Sequence, residues 1–510
     1  MTNPGGVPMR SHCCPCGVTR REFLKTGGAA VGALTLAGLT WSALRAEEVQ
    51  FGPAPGRKPL VVKPILAHEI PGRGDKTSWR NWGGIHTQEA ANEEAARIQG
   101  ELEKVKAAAD FPVTFLPVDK VRGGGDIAKI QDLADADAVL VYAAGAGGDV
   151  MDAARKSGKQ VLVFIRHKSG PVYLWYEIIS PRYLRQHTDL LALKDLTYDD
   201  VVVDSLDELT WRLRALGGLK NTLGTRIITI GGASGWCCGQ APQLAKDKWK
   251  LDIQDVAYPD LGRMIQAARQ DASAVKSARD RAAAYLKEEG ITLETSRQFV
   301  ENAFLLEQVF RGIMNKAGAR AMTINSCMGT IMPMAETTAC LALSLLNDAG
   351  YQAYCESDFV VIPSGILLTQ ISGRPEFLND PTYPHQGVIT LAHCTAPRKM
   401  DGKKPEAARI LTHFESDYGA APKVEMAKGT KVTCVIPDFQ EKKWTGFVGE
   451  IVDAPFLPIC RSQIDVQYKV PDRKIAENMA GFHWMVVYGD YTREVGYAMR
   501  KTSIAWENLG

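Results

Sequence analysis

From Pro59 to Cys355 short apolar, β-branched runs alternate with helical stretches, and this alternation restricts the fold more than any other feature of the chain. Strands separated by a helix do not close as hairpins. They pair in parallel through right-handed crossovers, with helices covering the sheet. Strands are expected at Pro59–His68, Pro112–Leu116, Ala136–Tyr142 and Gln160–Ile165, and helices at Gln88–Ala109 and Gly148–Ser157. A break near Leu219–Gly224 precedes a second unit, which opens with the strand Arg226–Ile230 and the turn Gly231-Gly232-Ala233-Ser234-Gly235. That turn lacks both GxGxxG and a following Lys-Ser/Thr, so it reads as a strand-to-helix turn and not as a phosphate loop. Helices over Leu261–Glu289 and Leu293–Lys316 and a strand at Ala321–Ile324 continue the unit. From about Gly387 the helical period disappears. Runs at Gly387–Ala392, Ala408–Phe414, Thr430–Ile436, Trp444–Ile451, Ile464–Val470 and Trp484–Tyr488 are separated by turns and glycines, as in an antiparallel barrel or sandwich.

The N-terminus carries a different signal. Thr19-Arg20-Arg21-Glu22-Phe23-Leu24-Lys25 precedes a modest apolar run, Ala29–Trp41, and a small-residue exit ending at Ala46. A paired arginine before a weakly apolar run reads as a twin-arginine signal peptide over residues 1–46. The run is too short to span a membrane. Export by the twin-arginine machinery to the periplasm or beyond is therefore expected, and that route carries proteins already folded. Cys13-Cys14-Pro15-Cys16 would leave with the peptide, so eight of the 11 cysteines remain, none in CxxC spacing. They read as buried small hydrophobes, with room for one or two disulfides in an oxidising compartment. The vicinal pair Cys237-Cys238 fits no simple pattern. A formal net charge of +2 on 510 residues carries no nucleic-acid signature.

Chemistry gathers around Glu336. This acid precedes an amphipathic helix, Thr337–Gln352, after which a short strand, Ala353–Cys355, runs into Glu356-Ser357-Asp358. Function in an open α/β sheet collects beyond the carboxyl ends of strands. Acids gathered there repel one another unless a cation or a shared proton intervenes. A helix-start role for Glu336 and a turn or capping role for Asp358 are the structural alternatives. His393 ends an apolar strand and His483 begins one, and neutral imidazoles beside carboxylates suit Mn²⁺ or a similar ion. His68, His385 and His413 are expected to be hydrogen-bonded core residues.

The order of Glu336, LALSLLNDAG, CESD, LAHCTAP, ILTHFESDYGAA, KGTKVTCVI and FHWMVVYGDY resembles the L-fucose isomerase and L-arabinose isomerase superfamily, in particular its L-fucose isomerase-like members, over about Ala321 to Asp490. The resemblance implies two Rossmann-like α/β parallel-sheet domains (58–220 and 221–382) followed by a C-terminal antiparallel β-barrel domain (383–510). It implies Mn²⁺ or another divalent cation held by Glu336, Asp358 and His483, with Glu356 and His393 as alternates from the arabinose-type pattern. It also implies a metal-dependent aldose–ketose isomerase working through an ene-diol, with Glu336 and Asp358 as the acid–base pair. Sites completed by a neighbouring subunit, in a homo-trimer or hexamer, follow from the same source. In the first unit, Trp79, Arg80, Trp82 and His86 on a glycine turn, and Arg166 and His167 beyond a strand end, are the candidate contacts to a sugar or sugar derivative. An exported carbohydrate-binding protein without turnover is the competing reading.

Overall fold

The computed structural model describes residues 39–45 and 51–510. The paired Arg20-Arg21 and the cysteines before it lie outside the described residues. The exit of the apolar run does not: Trp41–Arg45 is a short helix whose Trp41 indole donates to Asp271 at 3.1 Å, and Trp41 and Leu44 join the core.

The strands, in chain order, are β1 Leu60–Ala67, β2 Val113–Phe115, β3 Asp119–Val121, β4 Ala138–Ala143, β5 Gln160–Ile165, β6 Val201–Val203, β7 Arg226–Ile230, β8 Asp252–Val256, β9 Ile291–Leu293, β10 Ala321–Ile324 and β11 Gln352–Tyr354. They continue as β12 Phe377–Pro381, β13 Val388–His393, β14 Ala408–His413, β15 Tyr418–Val424, β16 Lys431–Ile436, β17 Lys443–Asp453, β18 Ser462–Gln467, β19 Trp484–Tyr488 and β20 Ala505–Asn508. The first sheet is parallel in the order β2-β1-β4-β5-β6, with β3 also on β1. The second, also parallel, runs β11-β10-β7-β8. In the C-terminal third, β16-β19-β12-β13-β18-β17 closes on itself through β16–β17, making a six-stranded antiparallel barrel, and β20 adds in parallel outside β17. Two Rossmann-like parallel sheets and a C-terminal antiparallel barrel are thus present.

Several local expectations change. The helical stretch Leu261–Glu289 is two helices, Tyr258–Gln270 and Ala272–Tyr285, because the Asp271 carboxylate accepts from Ser273 and Ala274 and caps the second. Ile291–Leu293 is a strand, not a helix start, and pairs in parallel with β14. β14 and β15 form a separate small sheet with β9 and do not enter the barrel. The break near Leu219–Gly224 falls at the end of a helix, Leu206–Thr222, which packs against the apolar helix Ile362–Ser372. A Cβ on Gly218 would stand 2.3 Å from the Ile371 side chain, so the absence of a side chain is what allows this close approach.

Candidate metal centre

β11 ends at Tyr354, and two consecutive non-glycine residues then take left-handed backbone, Glu356 at φ 69° and Ser357 at φ 48°. Such conformations cost free energy and persist where the surroundings enforce them, typically at sites. Here the Ser357 N–H donates to Thr323 Oγ1 at 3.1 Å, and the neighbouring glycine-rich loop pairs with the turn through Ser234 N–H to Ser357 O (3.2 Å) and Phe359 N–H to Ser234 O (3.0 Å). The reversal turns Glu356 toward the barrel and leaves Asp358 buried, 1 % exposed.

The barrel supplies the rest. His393 is the last residue of β13, and His483 immediately precedes β19. One ligand atom each from Glu356, His393 and His483 lie within 4.8 Å of one another. The Asp358 carboxylate accepts from His483 Nδ1 at 2.8 Å, and Thr395 Oγ1 lies 2.9 Å from His393 Nδ1. These bonds orient both rings and leave Nε2 of His483 facing inward. Asp380 of β12 stands 3.2 Å from that nitrogen, and Glu356 3.4 Å. Neither contact has hydrogen-bond geometry: His483 Nε2 and Asp380 Oδ1 are buried polar atoms without a partner. Orphaned buried donors and acceptors are uncommon and call for a missing partner. Two imidazoles and a carboxylate, with a second carboxylate holding the far nitrogen of one ring, fit a divalent transition-metal ion such as Mn²⁺.

The charges are strongly coupled. Burial would lower the His483 pKa, but the bond to Asp358 and the nearby carboxylates of Glu356 and Asp380 outweigh it and push it up to about 10. Burial pushes Glu356 upward, yet His483 more than compensates, and Glu356 is held below its ordinary value. Asp380, dominated by burial, is raised. Two neighbouring carboxyls thus have their proton affinities driven apart.

The expected ligands are distributed differently from the resemblance. The structure brings Glu356 and His393 to His483 and puts Asp358 behind His483, on its Nδ1. Glu336 does not join them: its side chain is 58 % exposed and paired with Arg269, at the left-handed end of the short helix Met332–Ala335. Asp380 was missed, because Phe377–Pro381 contains Asn-Asp-Pro, which reads as a turn and not as a barrel strand. Trp236 was also missed. It follows the glycine-rich turn at φ 51°, stacks on Phe482 at 4.6 Å and meets His483 edge-on at 5.5 Å. The indole and Phe482 are 37 % and 39 % exposed, so together they form an open aromatic wall beside the donors. An aromatic residue placed just after a strand-end glycine turn was the available signal.

In the first unit, Arg166 is not a ligand contact. It is 1 % exposed, held by Glu94 at 2.5 Å and Glu101 at 2.8 Å, a closed ion network under the sheet end. His167 is partly buried, stacked on Tyr176 at 4.2 Å. The Trp79–His86 loop follows the carboxyl end of β1. Arg80 covers the Trp79 ring at 5.1 Å, Trp82 is 74 % exposed, and His86 is partly buried with Nδ1 unpartnered. Of the three histidines assigned to the core, His68 and His413 are buried but His385 is exposed, on a β-turn before β13. Both ring nitrogens of His68 lack partners, so it is not the hydrogen-bonded residue expected.

No family model matches the chain. A sulfoquinovose isomerase from Clostridium sp. (strain MSTE9) is 25 % identical over 179 residues, 31 % of this chain and 37 % of that protein. The chain is similar to a sugar isomerase. The aligned part spans less than two fifths of that relative's length, so the likeness reaches the class of protein and not its whole activity.

Proposed function

We propose that the protein is a metal-dependent carbohydrate isomerase that interconverts an aldose and a ketose. The observation that carries this reading is the convergence of Glu356, His393 and His483 within 4.8 Å, with the Asp380 carboxylate 3.2 Å from His483 Nε2. Mn²⁺ or another divalent cation held by these three residues would act as a Lewis acid on the carbonyl and hydroxyl oxygens of an open-chain sugar. Glu356, kept ionised, takes the proton from the carbon next to the carbonyl. Asp380, drawn toward its protonated form by burial, gives a proton to the neighbouring carbon while the hydroxyl proton moves from one sugar oxygen to the other, so that the sugar passes through an ene-diol and solvent then returns the proton from Glu356 to Asp380. Carboxyls whose environments separate their proton affinities are suited to this division of labour. Asp358 keeps His483 in the tautomer and orientation that point Nε2 inward. The deciding experiment incubates the protein with Mn²⁺ and a panel of aldoses in D₂O. Deuterium entering at the carbon next to the carbonyl, with ketose formation read by NMR, is expected. Bound cation and bound sugar with neither exchange nor product would instead identify a carbohydrate-binding protein without turnover.

The Trp236–Phe482 wall gives the sugar an apolar surface at the cation site. Trp82 is proposed to play the same part for a neighbouring copy in a trimer or hexamer. Aromatic stacking contributes about 0.5–1.5 kcal/mol beyond area burial. Trp236→Ala and Trp82→Ala should each raise KM by about tenfold, since 1.4 kcal/mol is a factor of ten. The melting temperature should hardly change for the exposed Trp82. Steady-state kinetics with a melting curve check both. Export through the twin-arginine machinery to the periplasm is part of the same proposal, motivated by Arg20-Arg21; replacing both with lysine should leave precursor in the cytoplasm.

Cation binding should release protons. With its pKa pushed up to about 10, His483 carries a proton in the cation-free protein across neutral pH. Its folded pKa lies above the ordinary 6.5, so the protonated ring stabilises the cation-free fold fully below about 6.5, and that contribution is lost as pH rises through about 10. A cation can take Nε2 only as the proton leaves. Its affinity should therefore climb about tenfold per pH unit between about pH 7 and 9, with close to one proton released per site. Calorimetry in buffers of different ionisation enthalpy measures that proton.

A further inference from the structure

Four thiols gather beside the candidate metal centre. Cys340 and Cys394 pack with Ala421 in a small buried cluster against which Cys460 lies. The backbone N–H of Ala339 donates to Cys327 Sγ and that of Arg461 to Cys394 Sγ, both at 3.4 Å. The inner two thiols, Cys340 and Cys394, are buried at 4 % and 2 % exposure, whereas the outer two, Cys327 and Cys460, are partly exposed.

We infer that this group of thiols is a redox site that closes into two disulfides, Cys327–Cys340 and Cys394–Cys460. The Ala339 contact brings Cys327 to the residue before Cys340, the Arg461 contact brings Cys394 to the residue after Cys460, and this pairing consumes all four. It also gives each pair an accessible member and a buried one. The accessible thiolate attacks an incoming disulfide RSSR, forms a mixed disulfide and expels one RS⁻. The buried partner then attacks the accessible cysteine's sulfur and expels the second. Each pair thus loses two hydrogens to a disulfide-bearing oxidant, which is reduced to two RSH. Cys327–Cys340 would close the segment carrying Glu336, and Cys394–Cys460 would fasten the residue after His393 to the loop that leads into β18. This inference stands apart from the isomerase reading.

The full chain is equilibrated with oxidised or reduced glutathione, alkylated, and cut with a glutamyl endoprotease. Cleavage after Glu307, Glu336, Glu356, Glu376, Glu406, Glu450 and Glu477 puts the four cysteines on separate peptides, and fragmentation of 337–356 distinguishes Cys340 from Cys355. Oxidation should lower the intact mass by about 4 Da and link 308–336 to 337–356 through Cys340, and 377–406 to 451–477. The oxidised form should melt several degrees above the reduced one. C460S should keep Cys327–Cys340 and leave Cys394 alkylatable after unfolding. A Cys340–Cys394 link, four thiols that stay reduced in oxidised glutathione, or four thiols shielded by a bound thiophilic metal would each overturn the pairing. Wild-type mapping alone decides this if C460S fails to fold.

Discussion

Glu356→Gln should abolish divalent-cation binding and, with it, carbohydrate turnover. The substitution keeps the shape of the side chain and removes the negative charge that the cation needs. It also removes the proton acceptor assigned to the isomerisation. Asp358→Asn should behave differently. Asp358 touches His483 Nδ1 at 2.8 Å and reaches the cation only through that ring. Replacing a carboxylate that orients a metal-bound histidine typically costs 10–100-fold in metal affinity or activity, so excess Mn²⁺ should restore much of the lost rate in Asp358→Asn and none in Glu356→Gln. Glu336→Gln should leave cation affinity nearly unchanged, because its carboxylate is paired with Arg269 outside the donor group. Titrating Mn²⁺ against all three variants, with rates at low and saturating metal, separates these outcomes. Equal loss of metal in Glu336→Gln and Glu356→Gln would return Glu336 to the ligand set.

Arg166→Ala should destabilise the first α/β unit severely without altering KM. The guanidinium is buried with Glu94, itself 1 % exposed, and Tyr173 donates to the same carboxylate at 2.5 Å. Removing one partner of a buried pair strands the other charge and typically costs about 3–5 kcal/mol. For a unit of this size that is on the order of 10 °C in the first melting transition. Glu94→Gln with Arg166→Met should recover part of the loss, since neither charge then remains buried alone. An Arg166→Ala protein with unchanged melting and a raised KM would restore Arg166 to the substrate.

The placement of Arg166 shows why some residues were legible and others were not. Its position after a strand of the parallel sheet was readable, and strand ends are where ligands collect. Its partners Glu94 and Glu101 sit on a helix some seventy residues earlier, on the face turned to the sheet end. Nothing in the local pattern of either segment states that they meet. The same limit divided Glu356 from Asp358. Extended backbone through CESD would have sent both acids the same way. The left-handed pair Glu356 and Ser357 broke that periodicity, and only packing against Thr323 and the Ser234 loop holds such a turn.

By itself the sequence determined the two parallel-sheet units and the β-rich end, because hydrophobic period and helix–strand alternation are local properties that survive in any context. It also marked the acids after β11 as a candidate site, since strand ends are legible in the chain, while the histidines beside them came from the resemblance and not from local pattern. Only the tertiary structure decided that six strands close into a barrel while β14 and β15 stay outside, that Asp380 and Trp236 reach His483, and that four scattered thiols gather in one place. Each of these depends on contacts between residues far apart in the chain, whose free energy is set by packing and burial and leaves no trace in any short stretch of sequence.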